Sequence, residues 1–163
     1  MMNERRDDRQ RNKSAKTRGA AARRLRLLSF AAEEARIPVE GSADIMKARR
    51  TGSEFALRLG FSASEATLIA AITSEIARNI IQGARQGQII FGRLENGLKR
   101  GIEVVARYQE DEVARSSRAV HDGSGGSQRR ELASVGKLVD EFNVVSEQGN
   151  GITVTVKKWR QPG

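Results

Sequence analysis

The sequence predicts a two-layer α/β sandwich: a mixed, mainly antiparallel sheet with about three helices on one face, preceded by a basic N-terminal arm. Three observations lead there. Apolar residues recur with a helical period in two consecutive segments, 43–59 and 67–83. The period then falls to two, and Asn96-Gly97 separates two alternating segments as a hairpin would. Near the C-terminus a last helical segment runs into a β-branched stretch, ITVTVKKW. The predicted order is β-α-α-β-β-loop-α-β-β, with no internal repeat.

Residues 1 to about 20 are polar and aperiodic, and they cannot offset the entropy of ordering. Residues 21–35 (AARRLRLLSFAAEEA) have helical propensity and a few leucines, enough for a short amphipathic helix formed on a partner. Ordered structure is expected from about Arg36, so the chain divides into an arm (1–35) and one domain (36–160). Arg36 to Glu40 reads as a strand, with Pro38 placing it at a sheet edge. Ser42 is a good N-cap, with Asp44 in the first turn, for a helix from Ala43 to about Leu59. Gly60 ends it.

Ser62 and Glu65 form a capping box that opens the second helix. Its body, TLIAAITSEIARNIIQG (Thr67 to Gly83), has an apolar stripe at Leu68, Ile69, Ile72, Ile76 and Ile80. Gln88 to Leu94 and Leu98 to Arg107 are the hairpin strands, joined around Glu95-Asn96-Gly97. A polar region from Tyr108 to about Gln128 includes the glycines at 123, 125 and 126. Arg130 to Phe142 reads as a helix, with Leu132, Val135, Leu138, Val139 and Phe142 on one side. Asn143 to Ser146 is a strand, 147–151 a turn, and Ile152 to Trp159 the last strand. Trp159 is expected to cover a sheet edge or core margin.

Composition narrows the chemistry. There is no cysteine, so neither a disulfide framework nor a thiolate metal site can form. A single histidine, His121, argues against a zinc site and reads as an exposed loop residue. No apolar run approaches a membrane span, and no apolar core follows the basic N-terminus as in a secretory leader. A cytoplasmic protein of bacterial style is expected. The net charge is +9, and residues 1–35 carry 10 basic against 5 acidic side chains, over half of the excess. Such an arm fits a solubilising leader, an acidic protein partner, or duplex nucleic acid bound in a salt-dependent way. It lacks the interleaved aromatics of a single-strand binder.

The one compact polar cluster lies on the second helix. Glu75 and Asn79 are one turn apart and share a face beside the apolar stripe. A carboxylate and an amide so placed suit a semi-buried site that orients a water and a hard cation. The alternative is the solvated flank of an amphipathic helix.

SEIARN (Ser74 to Asn79), LVDEF (Leu138 to Phe142), the closing KKW, and the run from Ala48 to Phe61 together resemble a known family. The chain resembles the small anti-sigma-factor and switch serine/threonine kinases of the GHKL (histidine-kinase-like) ATPase superfamily, most of all the RsbT type. The resemblance spans roughly Arg36 to Arg160. It implies a Bergerat-like ATPase fold, ATP and Mg2+ as ligands, and the Glu-x-x-x-Asn box at Glu75 and Asn79. Glu75 would polarise the attacking hydroxyl, Asn79 would ligate magnesium, and Arg78 in the same box would help bind the nucleotide.

The implied partners are a STAS-domain antagonist protein, a PP2C-type phosphatase or a sigma factor, with homodimerisation a further expectation. Two boxes depart from the family pattern. Where the family has Asp-x-Gly-x-Gly, the aspartate for the adenine amino group, this chain has Tyr108, with Glu110 and Glu112 for the glycines. The glycine-rich lid is displaced to Gly123, Gly125 and Gly126, which with Arg129 and Arg130 could still bind phosphates. A kinase acting on a serine of a STAS partner, a pseudokinase scaffold of the same fold, and a nucleic-acid-associated protein all stay open at this point.

Overall fold

The computed structural model describes residues 33–84, 86–110, 132–147 and 151–162. The elements are β1 (Glu33–Val39), α1 (Ser42–Arg58), α2 (Ala63–Gly83), β2 (Gly87–Asn96), β3 (Lys99–Tyr108), a helical turn α3 (132–136), β4 (Glu141–Glu147) and β5 (Gly151–Trp159). The strands form one sheet in the order β1-β2-β3-β5-β4. Every pairing is antiparallel, which resolves the expected mixed sheet to a single sense. Residues 1–32 of the arm, the loop glycines Gly123, Gly125 and Gly126, His121, and Arg129 and Arg130 lie outside the described residues; the last three residues assigned to the arm, 33–35, already belong to β1.

Each junction has a local cause. Asp44 accepts from the amides of Glu40 (2.9 Å) and Gly41 (3.1 Å), so Gly41, not Ser42, is the N-cap of α1. Those bonds hold the Asp44 carboxyl below its ordinary value. At the other end Phe61 N–H donates to Ala56 O (3.1 Å) and Gly60 N–H to Leu57 O (3.0 Å), with Gly60 at φ +84°. That is a Schellman stop, and buried Phe61 supplies its apolar contact. Ser62 and Glu65 then exchange the two bonds of the capping box, at 3.2 and 2.8 Å.

α1 and α2 approach closely because Gly52 has no side chain. A Cβ there would lie 2.9 Å from Thr73 Oγ1 and 3.2 Å from the Phe91 ring. Thr73 and Ser74 are buried in that seam, and each turns its hydroxyl back to its own helix, on Ile69 O (2.8 Å) and Ala70 O (2.9 Å). The core is laid between the helices and one face of the sheet. It joins Phe55, Ile69, Ile72, Ile76 and Ile80 to Ile37, Val39, Ile89, Phe91, Ile102, Val104, Val154 and Val156, with Leu132 and Val135 of α3.

Two further sequence expectations need correction. The helix expected from Arg130 to Phe142 gives way to a turn after residue 136, and Glu141 and Phe142 already belong to β4. Asp140 is the reason. Its amide donates to Lys157 O (3.0 Å) and its carboxylate accepts from Trp159 N–H (2.6 Å), so the chain is tied to β5 from there on. The hairpin turn is also one residue later than Asn96-Gly97 would place it. Asn96 pairs with Lys99, leaving Gly97 (φ +60°) and Leu98 as the central residues. Glycine in the left-handed region at the first central position is the type II′ arrangement. Trp159 is half-buried on an interior strand, on the sheet face opposite Val154 and Val156, its ring packed over Gly101, whose Cβ would lie 2.9 Å from it.

Candidate functional site

The C-terminal half of α2 carries the polar cluster. The stripe Ile69, Ile72, Ile76 and Ile80 is fully buried, and this rotation carries Asn79 inward too, to 3 % exposure. Glu75, one turn earlier, is half-buried. The Asn79 amide nitrogen donates to Glu75 O at 2.9 Å. Its carbonyl oxygen, Oδ1, is buried with no hydrogen-bond partner. A buried acceptor left unpaired costs about 1–3 kcal/mol, so it persists where something outside the fold completes it. Glu75 Oε2 is 3.0 Å from Arg78 Nη1. Arg78 therefore joins the cluster through Glu75, with its guanidinium on the solvent side.

The donor set fits a magnesium ion at Asn79: an amide oxygen in want of a partner, beside a carboxylate, on an element fixed by the core. Among the described residues no group of three or more acidic or histidine side chains could hold a metal by itself. A single protein oxygen with the remaining positions left to water and phosphate is how magnesium commonly binds.

The ends of β2 and β3 lie beside Ile80, the residue that follows Asn79. Tyr108, the last residue of β3, pairs with Gly87 and Ile152 and packs half-buried against the core. Gly87 is pressed from both sides: a Cβ there would lie 2.6 Å from Ile80 Cγ2 and 2.9 Å from Tyr108 Cβ. Ile80 follows Asn79 directly, so the wall that ends at Tyr108 begins one residue beyond the orphaned amide. An open groove of about 410 Å3 adjoins it at the ends of β1, β2 and β3, lined by Gln86, Gln88, Arg107, Tyr108 and Gln109 among others. These side chains are polar and no carboxylate stands at position 108.

No family model matches the chain. The serine/threonine-protein kinase RsbT of Bacillus subtilis is 32 % identical over 118 residues, which are 71 % of this chain and 89 % of the relative. The chain belongs to the RsbT-like family. The geometry of the RsbT-like chain brings Glu75, Arg78 and Asn79 together on one helix face; Gly125 and Gly126 fall outside the described residues. No described helix is long and apolar enough to cross a membrane.

Sequence reasoning missed Glu103. It is 1 % exposed on β3, and both carboxylate oxygens lack a hydrogen-bond partner. Burial pushes its carboxyl up to about 7; Lys157 opposes the shift and Glu141 adds to it. The only available signal was an acid interrupting the apolar run Ile102 to Ala106.

Proposed function

We propose that this RsbT-like chain is a partner-switching serine/threonine kinase of a bacterial stress or sigma-factor pathway. Its substrate in this reading is a serine on a STAS-domain partner, with a PP2C-type phosphatase or a sigma factor as the alternative binding partner. Asn79 would hold magnesium through Oδ1, Arg78 would share in nucleotide binding, and Glu75 would take the proton of the attacking hydroxyl. Mg-ATP supplies the phosphoryl group and the charge neutralisation on which such transfers depend. Arg78 Nη1, 3.0 Å from Glu75 Oε2, would hold that carboxylate in place until a substrate hydroxyl competes for it. The observation that carries this reading is the buried, unpartnered Oδ1 of Asn79.

One observation favours a second reading, a pseudokinase that binds the same partners without turnover. Tyr108 packs against the core, and the resemblance implies an aspartate for the adenine amino group at that position, so the base would lose its carboxylate partner. Calorimetry with Mg-ATP on the wild type and on Asn79→Ala decides between them. The kinase reading expects saturable binding that Asn79→Ala abolishes while the circular dichroism spectrum is kept. Absence of binding by the wild type, or equal binding by both proteins, would sink it.

A further inference from the structure

The site at Asn79 makes no use of Glu103, but the sheet gives it neighbours that matter. The ladder sets Glu33 of β1, Gly92 of β2, Glu103 of β3, Lys157 of β5 and Glu141 of β4 side by side in one row. The period of two puts Glu103 on the face opposite Val104, away from the helices. In this row Lys157 is the cross-strand neighbour of two carboxylates, Glu103 on one side and Glu141 on the other. It holds one of them. Lys157 Nζ is 3.1 Å from Glu141 Oε2, while neither oxygen of Glu103 has a hydrogen-bond partner.

Among the described residues Lys157 is the only cation in the row. Gly92 brings no side chain, and Glu33 beyond it adds an acid. In the next row Arg36 stands on β1, two strands from β3 across Ile90, and donates to Gln88 Oε1 at 3.0 Å. Gly101 and Val105 lie on either side of Glu103 along its own face, and Thr155 and Trp159 flank Lys157 on β5, none of them charged.

The two protonation states of Glu103 make different demands on that lysine. A neutral carboxyl makes little claim on it, and Lys157 stays with Glu141. A carboxylate buried without a donor costs free energy, and the ammonium directly opposite is the charge placed to offset it. Glu141 loses little by the exchange, since 56 % of its side chain is exposed and water can replace the lysine there. Burial sets the ionisation of Glu103 at about 7, so the exchange falls near neutral pH.

We propose that Glu103, Lys157 and Glu141 form a proton-controlled latch on the edge strand β4. With Glu103 protonated, Lys157 pins Glu141 and with it the start of β4. When Glu103 gives its proton to solvent, Lys157 moves to the new carboxylate and Glu141 is released. The backbone tie at the same place, Asp140 N–H to Lys157 O at 3.0 Å, keeps the strand in register throughout. The edge of the sheet is therefore looser above the transition than below it.

The test uses the full chain, isotope-labelled, with carboxyl and lysine side-chain signals followed by nuclear magnetic resonance from about pH 5 to about pH 8.5, the window around the Glu103 transition. The Lys157 Cε and Glu141 Cδ signals should shift with the same midpoint as Glu103 Cδ, and those shifts should vanish in Glu103→Gln. Hydrogen exchange, corrected for its intrinsic pH dependence, should speed up in β4 relative to β2 by about two- to fivefold above the transition, the worth of a partly exposed ion pair. Glu141→Gln serves as a second variant should Glu103→Gln perturb the fold: its β4 should exchange at the faster relative rate at both ends of the range, having no latch to lose. A Lys157 or Glu141 signal that stays flat while Glu103 ionises, or equal changes of exchange in β2 and β4, would overturn the proposal.

Discussion

Replacing Glu103 with glutamine should stabilise the protein at alkaline pH and flatten its stability profile. Glu103 faces Gly92 on β2, which offers no side chain, and Lys157 on β5, which is engaged with Glu141. Its two oxygens therefore find no donor, and the carboxyl is pushed from its ordinary 4.5 up to about 7, by burial above all. Between those values the folded chain holds a proton that the unfolded chain has released. Stability then falls as pH rises, because the native state binds more protons. At about 1.4 kcal/mol per pH unit the whole displacement is worth about 3 kcal/mol, of which about 2.5 kcal/mol is lost between pH 5 and pH 8. Glutamine keeps the shape and cannot ionise. Urea unfolding followed by circular dichroism at several pH values, with the slope of the transition compared between proteins, measures the difference. Wild type and Glu103→Gln should be close at pH 5 and separate by about 2 kcal/mol at pH 8, after about 0.5–1 kcal/mol is allowed for the unpaired amide. Parallel profiles for the two proteins would refute the reasoning, since they would mean that Glu103 has the same proton affinity in both states.

Gly52→Val should destabilise by about 1–3 kcal/mol, read as a lower melting temperature, because the added carbons meet Thr73 Oγ1 and the Phe91 ring, already 2.9 and 3.2 Å from the Cβ position. Asn79→Leu should leave the ligand-free protein as stable as the wild type or more so by up to about 1 kcal/mol in urea unfolding, because it removes the unpaired Oδ1 while filling the same space; a loss of more than 2 kcal/mol would show that Asn79 is a structural residue and not one kept for a ligand.

The helices were legible because their ends are chemical as well as periodic. Ser62 with Glu65, and Gly60 before Phe61, mark boundaries by hydrogen bonds that any chain of that local sequence can make. The central strands were legible for a similar reason, since the change of period at residue 88 needs no tertiary information. The failures share a cause. Leu138, Val139 and Phe142 keep a helical spacing, but the bonds of Asp140 to β5 come from residues far along the chain, and they convert the end of the segment to strand. The hairpin turn moved because the register of β2 on β3 is set over ten residues, and Gly97 alone can supply the positive φ at either position. Glu103 was invisible for the same reason: its burial belongs to the sheet, not to its neighbours in sequence.

The candidate site follows the same division. Spacing placed Glu75 and Asn79 on one face, but only packing distinguishes them. The rotation that buries Ile76 and Ile80 takes Asn79 fully inside and leaves Glu75 half in solvent. A surface amide would have met water, and a structural one would have met a donor. Asn79 meets neither at Oδ1, although its amide nitrogen is satisfied on Glu75 O. At the other end Tyr108 closes on Gly87 and Ile80, so the two halves of the site carry opposite signals within a few residues of each other. In the proposed reading the end at Asn79 would hold magnesium, and the end at Tyr108 would offer a base a phenol in place of a carboxylate. On that proposal affinity for magnesium and phosphate would be kept while selectivity for adenine is weakened, and calorimetry with Mg-ATP against Mg-GTP would show the two bound within a few-fold of each other; a strong preference for ATP would refute it.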